Sequence, residues 1–493
     1  MFQKLHVAFA TILCYHTIRK KSSRRNKNLK KVIATALLLS FIGVNTMPAL
    51  AISSTENTSA QKQKRSLFVK KAKVDKNQYR FDYVNMGWWD SFGDEYLSGY
   101  IRQAIDKNHD LKASTLMTQE YYQAMKAQFA SELPQVGAGF LPGYSKMINT
   151  TSSHWGFALP IYASYELDIF LKNRDKTKST KKTYEASLQD ERSAHISVAS
   201  AVGTTYLNIV QMDEMLKLQE EIVTLRENLL NLEKLRYEEG ISSSMDVVNS
   251  EKSFINAQNN LIELKKQHYK MLNQFAVLIG ESPENADQIQ RKSLAEINYA
   301  KTIPAEISTE VITSRPDYMK AELSVQKAGL DVRVAKKEFL PSLNLGGIGL
   351  FNASDLGSLF TTKNMLLAFG GGIMMPLFTG GQRVANLKMK KAQYERILET
   401  YLQTNLTSIQ EVNDSLYVLK SDDERYNQLV KQYDLESKNY KLNEQKYDEG
   451  IISKYDLIRY EENLLSLEQQ LNQYKTERLM GFIGLYKSTG SRL

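Results

Sequence analysis

The side chains best able to do chemistry are few and scattered. Of six histidines, two fall within the first 16 residues, and His109, His154, His195 and His268 stand alone, without an H-x-x-x-H spacing that could hold a metal. Gly346-Gly347-Ile348-Gly349 is glycine-rich, but no Lys-Ser or Lys-Thr pair follows to hold a phosphate. Cys14 is the only cysteine, so the chain beyond it has no disulfide, thiolate metal site or thiol nucleophile. No catalysis, cofactor or metal is assigned. What stands out instead is a turn written twice, 210 residues apart: Tyr237-Glu238-Glu239-Gly240-Ile241-Ser242-Ser243 and Tyr447-Asp448-Glu449-Gly450-Ile451-Ile452-Ser453. Gly240 and Gly450 fit the left-handed conformation that reverses a chain, and Ser243 and Ser453 can cap the helices that return. Just beyond the second turn, Asp456 and Arg459 lie three residues apart on one helix face. They could pair within a chain or bridge two chains across a symmetry axis.

Such turns need long helices to carry them, and the chain supplies these. The register of the two copies holds onward, with Glu251 on Glu461, Leu261 on Leu471 and Gly280 on Gly490. A fixed-offset duplication implies two copies of one supersecondary unit packed together. No proline occurs between 161 and 282 or after 376, and from Gln382 to Glu449 there is neither Gly nor Pro. At about 1.5 Å per residue that run spans roughly 100 Å as one rod or two stacked rods. Phe254, Ala257, Leu261, Leu264, His268, Met271 and Phe275 alternate steps of three and four, as do Leu464, Leu467, Leu471 and Tyr474. Leu218, Ile222, Leu225, Leu229 and Leu232 do the same on the preceding arm. This is coiled-coil spacing, so each copy reads as an antiparallel hairpin with its tip at the glycine.

Proline and glycine concentrate in two stretches, 134–168 and 341–378, which read as strands. Phe157, Leu159, Ile161, Ala163, Tyr165 and Leu167 occupy the odd positions against Ala158, Tyr162, Ser164, Glu166 and Asp168 on the even ones. Met365, Leu367, Phe369, Ile373, Met375 and Leu377 match them at an offset of 208, and Leu343, Leu345 and Phe351 lie opposite Asn344. Period-two alternation sets one face in an apolar medium and the other in water. A soluble sandwich would alternate as well. Four strands in two separated pairs cannot close a barrel alone, however, and open edges in lipid are costly, so the expected solution is a barrel shared between subunits.

The net charge of +9 suggests nucleic acid at first sight, but nine cations and no acid fall in residues 1–51, so no nucleic-acid partner is expected. Basic Lys27 to Lys31, an apolar run from Val32 to Val44 and Ala49-Leu50-Ala51 read as a secretory signal peptide over 1–51. The expected organisation then runs as an N-terminal segment 52–85, a first repeat 86–280, a polar inter-repeat segment 281–314 and a second repeat 315–490.

At this point several stretches resemble one family in order and spacing. Trp88-Trp89-Asp90-Ser91-Phe92 with Asn108-His109-Asp110-Leu111, Tyr165-Glu166-Leu167-Asp168-Ile169-Phe170, Arg315-Pro316-Asp317, Phe339-Leu340-Pro341-Ser342-Leu343 and Pro376-Leu377-Phe378-Thr379-Gly380-Gly381 resemble the TolC-like outer-membrane factors, nearer their drug-efflux branch. The resemblance implies an α+β membrane protein: a homotrimer with a twelve-stranded β-barrel, four strands per chain, in outer-membrane lipid, continued by a long periplasmic α-helical barrel. It implies a passive exit channel fed by an inner-membrane pump of RND or ABC type through a periplasmic membrane-fusion adaptor. It places adaptor docking at Tyr237, Gly240, Ser243, Tyr447, Gly450 and Ser453, and the periplasmic gate at Asp456 and Arg459. An outlet for type I protein secretion would share this fold. A periplasmic adaptor would carry one hairpin, not two.

Overall fold

The computed structural model describes residues 81–146 and 153–492; the leader and most of the 52–85 segment lie outside them. In chain order the helices and strands are α1 (Met86–Trp89), α2 (Glu95–Lys107), α3 (His109–Ala130), β1 (Gln135–Ala138), β2 (Leu141–Lys146), β3 (Ser153–Leu167), α4 (Lys172–Glu238), α5 (Ser244–Leu278), α6 (Thr309–Thr313), α7 (Pro316–Lys337), β4 (Ser342–Ala353), β5 (Met365–Met374), α8 (Gln382–Asp448) and α9 (Lys454–Ser488). The expected duplication is visible in the bounds. α4 and α8 are both 67 residues long, α5 and α9 both 35, and each pair is offset by 210. The Gly- and Pro-free run is therefore one unbroken rod, about 100 Å long.

Each rod packs along its returning partner, α4 on α5 and α8 on α9, while α9 also packs on α4 and α7 lies between α4 and α8. The three-four pattern faces these seams, with Leu218, Leu229, Ala257, Phe275 and Leu467 buried along it. Arg226 of α4 pairs with Glu462 of α9, tying one repeat to the other.

The sheet differs from two separate strand pairs. β3 pairs antiparallel with β4 across the repeat boundary, so all strands join one sheet in the order β1-β3-β4-β5, with β2 also on β3. β1 and β2 keep a single register on β3, and between them Gly139 N–H donates to Pro160 O at 2.9 Å. They are two pieces of one strand, leaving the expected four strand paths. β5 stops at Met374, so Met375 and Leu377 fall just past it.

The deepest core lies where the opening segment meets both rods. Trp88, Trp89, Phe92 and Tyr486 are fully buried, and the Trp88 and Tyr486 rings stack at 4.3 Å. Gly203 lets α4 pass against this cluster, since a Cβ there would fall 2.5 Å from the Trp89 ring. The inter-repeat segment departs from the polar character expected of it. Ile289, Leu294, Ile297 and Tyr299 are buried and belong to the same core. Arg291 clamps Asp213 of α4, with Nη2 2.8 Å from Oδ1, and His268 of α5 approaches the same oxygen at 2.9 Å. Lys475 of α9 donates to the carbonyl oxygens of Leu294 and Ala295 at 2.6 and 3.2 Å. These polar ties strap the segment around the helices.

Candidate channel surfaces and hairpin tips

Both tips are built from the same two devices. α4 and α8 end in Schellman turns: Gly240 and Gly450 take φ of +73° and +71°, and Ile241 and Ile451 N–H donate to Arg236 and Lys446 O, each at 2.8 Å. The returning helices open with capping boxes. Ser453 Oγ accepts from Asp456 N–H at 3.1 Å, while Asp456 Oδ2 accepts from Ser453 N–H and hydroxyl at 3.4 and 2.6 Å. Ser243 and Asp246 repeat the arrangement, and the Ser243 hydroxyl and N–H hold the Asp246 carboxyl below the usual carboxylate range.

Asp456 is therefore occupied as a helix cap. No Asp456–Arg459 ion pair forms within the chain, and Arg459 is exposed one turn on. The within-chain version of the expected pair is corrected by this geometry: the N3 position of a capping box turns the carboxylate back toward Ser453, away from the next turn of its own helix. Tyr237 is half exposed, Tyr447 sits under Lys454 Nζ at 5.1 Å, and Ile241, Met245 and Ile451 project into solvent. A cleft of about 510 Å³ runs beside the tips between Leu225, Asn228 and Leu232 of α4 and Lys454, Ile458 and Glu461 of α9.

A polar ladder along the second hairpin escaped the reading of motifs. Tyr426, Tyr433, Tyr440 and Tyr447 recur every seven residues on α8. They face α9, where Arg478 lies over the Tyr426 ring at 5.5 Å, Tyr433 Oη donates to Glu468 at 3.4 Å, and Glu461 stands beside Tyr440. Burial raises both carboxyls. Glu221 and Glu444 push Glu461 further up against the opposing pull of Lys454, and Glu221 and Glu214 do so for Glu468 against its bond to Tyr433. In the first repeat the three upper ladder positions are Leu216, Val223 and Leu230. The signal was the seven-residue spacing, hidden because tyrosine is apolar enough to pass as coiled-coil core.

At the other end, strand register decides the faces. Directly paired residues point the same way in an antiparallel sheet. One face then carries Val136, Phe140 and Tyr144, then Trp155, Phe157, Leu159, Ile161, Tyr165 and Leu167, then Leu343, Leu345 and Phe351, then Met365, Leu367, Phe369 and Ile373. Among the described strand residues the one charged position on it is Lys146, paired with Ser153 at the end of β2. The opposite face is mixed, with Gln135, Ser164, Glu166, Asn344 and several glycines. In a single chain the apolar face is open: Phe369 is 83% exposed and Ile373 75%. A band of this size facing water would aggregate, whereas facing lipid it is stable. Among the described residues no helix is long and apolar enough to cross a membrane, and no cluster of His, Cys, Asp and Glu could hold a metal.

The chain belongs to the outer membrane efflux protein family, whose pattern matches residues 100–281 and 307–491. It is an efflux channel component of the outer membrane, with its helical part in the periplasm. Among its relatives is the probable efflux pump outer membrane protein TtgC of Pseudomonas putida, 28% identical over 83% of this chain and 85% of that protein. The cation efflux system protein CusC of Escherichia coli is 26% identical over 83% of this chain and 89% of that protein. Among solved structures, the CmeC outer membrane channel of Campylobacter jejuni aligns with a TM-score of 0.76 at 21% identity over 90% of this chain and 94% of that one. The open-state MtrE outer membrane channel of Neisseria gonorrhoeae aligns with a TM-score of 0.74 at 25% identity over 83% and 92%.

Proposed function

We propose that three copies of this chain close head to tail into the passive exit duct of a tripartite efflux system, carrying small organic molecules such as drugs. The observation that carries this reading is the four-strand sheet with one face apolar along most of its length, Lys146 and Ser153 standing at one end, and two unpaired edges, the β1/β2 path and β5. Edges in lipid must be paired. Two copies would supply eight strands, a barrel whose interior side chains fill it, so three are the fewest that leave a passage. The helices support the same closure. Val248, Ile255, Ile262 and Tyr269 form an exposed row at seven-residue steps on α5, and Leu435 and Leu442 continue one on α8. Distinct apolar edges on the two flanks suit a ring, in which each copy offers one flank to its neighbour's other flank.

The exposed tips Tyr237, Gly240, Ser243, Tyr447, Gly450 and Ser453, with the cleft beside them, are the proposed docking surface for the helical hairpin of a periplasmic adaptor that links the duct to an inner-membrane pump of RND or ABC type. Gly240 and Gly450 have open space around them, so a side chain there would strain the turn and also obstruct a partner. Arg459 is free to reach an acidic group of a neighbouring copy, and Asp456 and Arg459 are proposed to contribute to an inter-subunit gate. Purified protein reconstituted in planar bilayers is expected to form trimers with single-channel conductance, and loss of the gene to increase drug susceptibility. A water-soluble monomer without conductance would overturn the reading. Reversal of charge at Asp456 that left conductance and adaptor affinity unchanged would remove the gate assignment alone.

A further inference from the structure

The first turns of α4 and α8 are strongly basic. Residues 172–182 hold six cations against one acid, Asp175, and residues 382–394 hold Arg383, Lys388, Lys390 and Lys391 against none. The bias is local: residues 212–239, nearer the tip, hold eight acids against four cations. Within the basic stretches, Lys178 and Lys388 occupy the same place in the two repeats, as do Lys181 and Lys391, and all four are exposed, as is Arg174. Lys181 has a carboxylate near it, Glu185 at 3.6 Å; among the described residues Arg174, Lys178, Lys388 and Lys391 have no ion-pair partner.

Helix geometry sets which way this row points. On α4, Ser187 and Glu191 meet Thr118 and Thr115 of α3, while Asp175 and Ser179 meet Lys337 and Asp331 of α7. At about 100° per residue these two flanks lie less than half a turn apart on the side of Lys172 and Lys176. Those two lysines border a crevice with Ser342 and Met374, which stand on the mixed, non-lipid face of the sheet. That side faces the duct, so Arg174, Lys178 and Lys181 point outward. Lys388 and Lys391 follow at the equivalent places on α8, whose Gln382 and Met389 border the same crevice. In chain order, exposed apolar pairs separate the strands from these helices, Ile169-Phe170 between β3 and α4 and Leu377-Phe378 between β5 and α8. Apolar face, aromatic edge and then cations is the order of chemistry met on leaving a bilayer.

We propose that Arg174, Lys178 and Lys181 with Lys388 and Lys391 form an outward basic collar that binds the phosphate headgroups of anionic phospholipids in the periplasmic leaflet of the outer membrane. The proposal rests on the sheet being the membrane-spanning part. Lys178 lies six residues into α4, about 9 Å along the axis, within a lysine side chain's reach of a headgroup zone about 5–7 Å deep. Each cation near such a surface contributes roughly fivefold to binding.

The test is native mass spectrometry of the intact channel released from mixed micelles of phosphatidylglycerol and phosphatidylethanolamine. Wild type is expected to retain phosphatidylglycerol preferentially, with retention falling as salt rises. The variant with Lys178→Gln, Lys181→Gln, Lys388→Gln and Lys391→Gln is expected to lose at least tenfold, and the matching Lys→Arg variant to keep it. Equal retention by wild type and the Gln variant, or no preference in wild type, overturns the collar. Single-channel conductance of both proteins is read in parallel: conductance without lipid preference refutes the collar only, whereas absence of conductance in wild type refutes the channel reading on which it rests.

Discussion

Replacing Ser453 with alanine removes one half of the capping box that starts α9 while leaving every other tip contact in place. The hydroxyl accepts from Asp456 N–H at 3.1 Å and donates to Asp456 Oδ2 at 2.6 Å, so its loss uncaps one backbone donor and leaves the carboxylate only the residue-453 N–H, at 3.4 Å. Loss of an N-cap serine costs about 1 kcal/mol, equivalent to roughly fivefold more frequent opening of the first turn. Thirty-five residues follow in α9, and the cost is expected to stay local because its body is held by α4 and α8. Native-state hydrogen exchange of the Asp456 and Leu457 amides should therefore accelerate about fivefold, with amides beyond Leu467 unchanged. Ser243→Ala should do the same at Asp246 and Val247, because the first tip has the same box. Asp456→Asn separates cap from charge, since its amide oxygen can still accept from Ser453. Unchanged exchange in Ser453→Ala would refute the capping account. Altered conductance in Asp456→Asn, but not in Ser453→Ala, would assign the gate to charge.

Three further outcomes follow from the core and the seams. Gly203→Ala should lower thermal stability by about 1–3 kcal/mol despite alanine's better helix propensity, because its Cβ would overlap the Trp89 ring; an unchanged or raised Tm would contradict the close packing. Glu461 and Glu468 have raised pKa values in the folded seam, so the protonated form is favoured there and the associated stability is lost as pH rises through that raised range. Acidifying from neutral should raise the hydrogen-exchange protection factors along α8 and α9, after correction for the intrinsic pH dependence of exchange, and a Glu461→Gln, Glu468→Gln variant should flatten that dependence. Asp213→Ala leaves Arg291 half-buried without its carboxylate, so residues 283–308 should become more sensitive to limited proteolysis than in wild type.

Much of the architecture was written in local patterns. Period-two alternation marked β3 and β5, three-four spacing marked the rods, and Gly240 and Gly450 marked the tips, because each depends on residues close in sequence. The fixed 210-residue offset even anticipated that the paired helices would share their lengths. Register between distant segments was not legible in the same way. The β3–β4 pairing joins residues nearly 200 apart, such as Phe157 and Ala353, and only that pairing turns alternating strands into one continuous apolar face.

Side-chain destinations likewise waited for tertiary structure. Asp456 and Arg459 share a helix face by spacing, yet a serine three residues earlier captures the carboxylate, a competition between near-equal local bonds that spacing does not rank. His268 looked isolated in sequence and meets Asp213 and Arg291 only when the inter-repeat segment wraps back. Sequence alone thus determined the elements, their duplication and their apolar faces, since periodicity is a property of each segment by itself. The packed chain decided which faces merge, which polar groups satisfy one another and which rows of lysine point outward, because those depend on neighbours that the linear order keeps far apart.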